Sequence, residues 1–204
     1  MDKINNLVTA ATHELSSTRM PSKQWPHLQP KANALLKCHS NLASFCTMFN
    51  PDLQPVVADN IDRAMFGTAP MLCTIDAAYG EGSASQWLVP QLHNLCVSVG
   101  VKTKLDDVQL IQLAQMIRKE FGYLKATEVM LFVWRFKAGH YGELYGAVDP
   151  VRIMRALRGK FSEERARHID LHDAEAKEQE RKQWAETAAT PEQIEAIKKR
   201  FTNK

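Results

Sequence analysis

Lys137, His140, Tyr141 and Tyr145 crowd into nine residues, and Arg152, Arg155 and Arg158 follow at intervals of three. Arginines spaced along a helix can meet successive phosphates, each contact adding a salt-dependent increment of affinity. Tyrosines beside them can stack on a partner or hydrogen-bond it. These seven residues are the candidate surface for nucleic acid or a protein partner. The bland alternative is a solvated face paired with acids such as Glu163, beside a turn whose tyrosines cover the core edge. The glycines run Gly139-x-x-Gly142-x-x-x-Gly146. A phosphate cradle needs G-x-x-x-x-G-K-[ST] after a strand, and neither the spacing nor a strand is present here.

Other chemistries find less support. His168 and His172, with Asp170 and Asp173, stand at a spacing that brings two imidazoles to one helix face. No HExxH pattern accompanies them and no third ligand is evident, so no metal is expected. Nucleophile-elbow, P-loop and dinucleotide fingerprints are missing. Glu120 and Glu128 flank apolar helices, where a helix-end charge is a simpler account than a catalytic carboxylate. The expectation is a non-enzymatic protein without a cofactor.

The elements that must hold these residues read as helices. Residues 3–15 carry a helical apolar stripe, and a Pro-containing linker with Pro21, Pro26 and Pro30 follows. Apolar spacing predicts helices over 31–49 and 53–65. Residues 67–75 are open between a short strand and a helix start. A helix bearing Trp87, Leu88, Leu92 and Leu95 is predicted from Ser83 or Ser85 to Gly100. Thr103 and Asp106 suggest a capping box for the next one. From Thr127 a helix is apolar nearly all round, and Val129, Leu131, Phe132, Trp134 and Phe136 are expected in the core. Asp149-Pro150 opens the arginine helix. Residues 162–189 read as a solvated helix, and Thr190-Pro191 starts a last short one.

Composition sets the frame. Hydrophobic residues make up 45% of 204, enough for a sizeable core. No apolar run approaches a membrane span and no signal peptide is seen. With four dispersed cysteines, Cys38, Cys46, Cys73 and Cys96, this points to a cytoplasmic protein with reduced thiols. Residues 1–102 hold seven Lys/Arg and seven Asp/Glu, so the net charge of +3 arises entirely in the second half. Segment 135–167 carries eight basic and four acidic residues, a local excess suited to DNA.

Three stretches, AYGEGSASQWLVPQL, LAQMIRKEFGYLKATEVMLFVWRFKAGHYGELYGAVDP and IMRALR with EER, span Tyr79 to about Arg165. Together they resemble an uncharacterised domain-of-unknown-function family from gut-bacterial genomes and their prophages or integrative elements. The resemblance implies a mobile-element setting and supplies no catalytic residues.

The reading is therefore an all-α protein. An N-terminal helix and linker occupy 1–30, a helical core domain 31–165, and a charged helical tail 166–204. The expected function is that of a DNA-binding accessory protein, for which the resemblance implies a DNA-replication, helicase-loader-like role, with DNA or a replication protein as partner and no membrane. The alternative is a structural or protein–protein adaptor without DNA binding.

Overall fold

The structure, a computed structural model, describes residues 26–100, 102–142 and 147–187. The expected helix over 3–15, the linker up to residue 25, Tyr145 and the last short helix lie outside the described residues. The chain divides into two units, Met1–Phe161 and Ser162–Lys204, a few residues before the division expected after 165. Among the described residues there is no strand, only two isolated bridges. The protein is all-α.

The first unit opens with a 3₁₀ turn at Pro26–Leu28 and helix α1, Gln29–Cys38. Pro30, expected in the linker, sits in the first turn of α1, where a missing N–H costs nothing. The single helix expected over 31–49 is two. His39 turns extended, and the Asn41 side chain accepts from the Ser44 N–H at 2.8 Å to start α2, Leu42–Met48. The helix expected over 53–65 is likewise split into α3, Gln54–Ala58, and α4, Ile61–Phe66. There Asn60 accepts from the Arg63 N–H at 2.8 Å. In both places an asparagine satisfies orphan amides and restarts the helix inside a continuous apolar pattern.

Of the two alternatives for residues 67–75 the structure shows the helix start and no strand. Met71 bridges antiparallel to Lys125, and α5, Leu72–Tyr79, begins at once. The amides of Leu72 and Cys73 donate to the carbonyls of Leu124 and Gly122. Helix α6, Ser83–Ser98, starts after Gly82, which takes φ +89°, and no serine side chain caps it. Helix α7, Asp107–Glu120, has its capping box one turn later than expected. Gln109 N–H donates to Asp106 and Asp106 N–H to the Gln109 side chain. Thr103 instead bridges in parallel to Ala147.

Helix α8, Ala126–Lys137, is the centre of the unit, packed by α3, α4 and α6. It starts after Lys125, whose N–H donates to the buried Glu128 carboxylate at 2.7 Å. Thr127, expected as the cap, donates its hydroxyl to the Ala64 carbonyl. Val129, Leu131, Phe132 and Phe136 are buried as expected. Trp134 is not: it is 36% exposed, with the Lys137 ammonium 5.2 Å from its ring centroid. Trp87 does enter the core, its Nε1 donating to the Phe49 carbonyl at 2.8 Å.

Helix α9, Pro150–Ala156, begins as the sequence indicates, with Asp149 accepting from the Val151 N–H. It runs into a π-helical turn, Leu157–Phe161, whose end residues are both buried. The second unit's described part is one helix, α10, Ser162–Thr187, with no buried residue.

Candidate functional site

The residues from Lys137 to Arg158 are placed by the end of α8, a glycine turn and α9. Gly139 adopts φ +79° and Gly142 φ +98°, conformations that strain any residue with a Cβ. They let the chain leave α8 sharply: the His140 N–H donates to the Arg135 carbonyl, and the Gly142 N–H to that of Gly139. The turn folds Tyr141 back onto the core. Its ring stacks on Phe132 at 5.3 Å with planes 23° apart, and only 8% of the residue is exposed. Tyr141 thus covers the core edge and is not presented to a partner. His140 is exposed.

The cations split into committed and open groups. Lys137 donates to the Asn94 side chain at 2.8 Å, and burial pushes its ammonium pKa down, partly offset by Asp52. Arg152 is half-buried and lies over the turn, with Nη2 3.3 Å from where a Cβ on Gly142 would stand. Arg158 forms a two-pronged ion pair with Glu120 at the end of α7. That pairing holds the Glu120 carboxyl below its ordinary range, so Glu120 is an ionised helix-end partner. Arg155 and Lys160 are exposed, without a carboxylate partner among the described residues.

The expected stripe of three equivalent arginines is therefore not what the fold presents. The π-helical turn changes the angular step after Ala156. Arg158 is drawn to α7, while Arg155 faces solvent. What remains open is Arg155 on α9, Lys160 in the π-helical turn and His140 in the glycine turn, all exposed, with Arg152 lying against Gly142.

The sequence reading missed a second ion pair, between α5 and α7. Asp76 is 4% exposed and accepts from the Ala84 N–H at 2.9 Å and from Arg118, which also reaches Glu81 at 3.3 Å. Burial pushes the Asp76 carboxyl up, opposed by the Ala84 N–H and then by Arg118. A lone aspartate in the apolar run MLCTIDAAY was the available signal. On α10, His172 lies 3.9 Å from Asp173. Among the described residues no group of three His, Cys, Asp or Glu is placed to hold a metal. No described helix is long and apolar enough to cross a membrane.

Fold and site together define a helical protein with a compact unit, a glycine turn leading into an arginine-bearing helix, and a long solvated helix. Residues 105–200 match the model of a family of unknown function, DUF6633. That span differs from the resemblance over 79–165: it leaves out α6 and takes in the whole of α10. A search of curated proteins and one of solved structures found no match.

Proposed function

We propose that this chain is a non-enzymatic adaptor that engages a macromolecular partner through α10, with the first unit as its folded anchor. The observation that carries this reading is a 26-residue helix with no buried residue. Leu171 is 62% and Trp184 70% exposed on it. Large apolar side chains exposed on a mostly polar helix are candidate contacts for a partner, and at this separation Leu171 and Trp184 stand on different faces of α10. The setting in a bacterial mobile element rests on the resemblance over 79–165.

A second reading, a DNA-replication accessory function, is favoured by the exposed cations Arg155 and Lys160 and the exposed His140 of the glycine turn. It ranks second because Arg158, Lys137 and Tyr141 have partners inside the chain. Two measurements separate the readings. Fluorescence anisotropy with labelled single- and double-stranded oligonucleotides at rising salt tests the DNA reading. Absence of binding at low salt removes it. Affinity capture from producing cells, comparing the parent with an L171S/W184S variant, tests the adaptor reading. Loss of the same partners at unchanged thermal stability supports it, and equal capture refutes it.

A further inference from the structure

Away from the glycine turn, the first unit holds a cleft of about 920 Å³ between α1, the 67–71 segment and the start of α8. Its walls carry Leu35, Phe49 and Met71, and its lining includes Lys31, Arg63 and Lys125. Among the described residues that line it, not one is Asp or Glu. In a chain whose first 102 residues are electrically balanced, such one-signed lining makes a local positive field within low-dielectric walls.

The cations have different tasks. Lys125 donates to the carbonyls of Met65 and Gly67 at 2.7 and 2.8 Å and so ties the end of α4 to the wall. Lys31 and Arg63 have no carboxylate partner among the described residues, and both are exposed. Their charges are open to something that enters.

The lining supplies an independent observation. Thr74 is 2% exposed, lines the cleft, and its hydroxyl has no hydrogen-bond partner among the described residues. A helical threonine ordinarily donates to the carbonyl three or four residues back. Here the Pro70 carbonyl already accepts from Ala126 N–H, and the Met71 carbonyl from the amides of Thr74 and Ile75. The hydroxyl of this cleft-lining residue is left over, and a buried orphan of this kind calls for an explanation.

We propose that this cleft binds a small organic anion with an apolar body, a carboxylate or a phosphate monoester. Its head group meets Arg63 and Lys31, its body lies on Leu35, Phe49 and Met71, and an acceptor oxygen takes the Thr74 hydroxyl. Pockets of a few hundred Å³ with apolar walls and a few converging polar groups are the ordinary form of small-molecule sites. This site is independent of α10 and of the adaptor reading.

The test titrates the full-length protein with octanoate, octyl phosphate and octylammonium, three probes sharing one tail, by calorimetry. Saturable binding of one or both anions with none of the cation is expected. The tighter anion identifies the head group. Arg63→Gln removes a charged donor and should weaken binding roughly ten- to hundredfold. Thr74→Val removes only the hydroxyl and should weaken it roughly three- to tenfold. Because it deletes an unpaired buried polar group, Thr74→Val should fold at least as well as the parent, which a thermal melt verifies. Failure of both anions to bind, equal binding of octylammonium, or parental affinity in both variants overturns the proposal.

Discussion

Helices α8 and α10 are opposites built from the same backbone. Eight of the 12 residues of α8 are buried, namely Ala126, Glu128, Val129, Met130, Leu131, Phe132, Val133 and Phe136. None of the 26 residues of α10 is. The first helix exists because other helices bury it. The second depends on local terms: Glu178 pairs with Arg181 at 2.7 Å and with Lys182 at 3.9 Å, each pair contributing about 0.2–0.5 kcal/mol. Stability and accessible surface are thus divided between the two units. A surface helix without a buried stripe is free to spend its apolar side chains on a partner.

The comparison breaks first at Phe132. Phe132→Ala should destabilise the first unit by roughly 3–5 kcal/mol, as removal of a fully buried ring does. Trp134→Ala, on the same helix but facing out, should cost well under half of that. Equal losses in chemical denaturation would mean that α8 is rotated from the orientation described.

Arg118→Leu comes next. It leaves the Asp76 carboxylate buried without its cation and should cost about 3 kcal/mol at neutral pH, the low end for a buried pair because Arg118 keeps some solvent. The pH dependence has a definite sign. Burial already pushes the Asp76 carboxyl up, and without the guanidinium nothing but the Ala84 N–H opposes it. The folded variant then holds a proton that the unfolded chain releases. Its deficit should shrink as pH falls through the interval between the folded value and the ordinary carboxylate value. A deficit that stays constant or grows on acidification would contradict the pairing.

Asn41→Ala and Asn60→Ala should each cost about 1 kcal/mol through loss of a helix cap, read from shifted denaturation midpoints. The smallest effect concerns thiols, all of which lie in the first unit. Burial pushes Cys46 up to about 11, so at pH 8 only roughly one thiol in a thousand is ionised. Cys38, exposed at the end of α1, should react with a disulfide reagent well before Cys46. Rapid labelling of Cys46 would show the unit to be loosely packed.

What was legible in the sequence was the helical class, the central position of 126–137, the Asp149-Pro150 start and the solvated stretch after Ser162. These depend on periodicity and composition within a few residues. The breaks at Asn41 and Asn60 were signalled by good cap residues, but the apolar pattern ran on through both. An all-round apolar helix has no phase, so Trp134 could not be assigned outward. Its neighbour Lys137 was the available hint. The pairings Arg158–Glu120 and Asp76–Arg118 join residues 38 and 42 apart, and such partners become visible only in the fold. The π-helical turn that redirects Arg158 left no recognised mark in LRGKF. The cleft is assembled from four separate stretches, none remarkable alone.

Hydrogen–deuterium exchange on the intact chain tests the division between the two helices most directly. Amides in Ala126–Lys137 should exchange only with global unfolding, while those in Ser162–Thr187 should open locally and exchange orders of magnitude faster. Loss of Phe132 should accelerate the first set and leave the second unchanged. Equal protection of the two helices in the free protein would contradict the account, because α10, which has no buried residue, would then be held as firmly as the core helix.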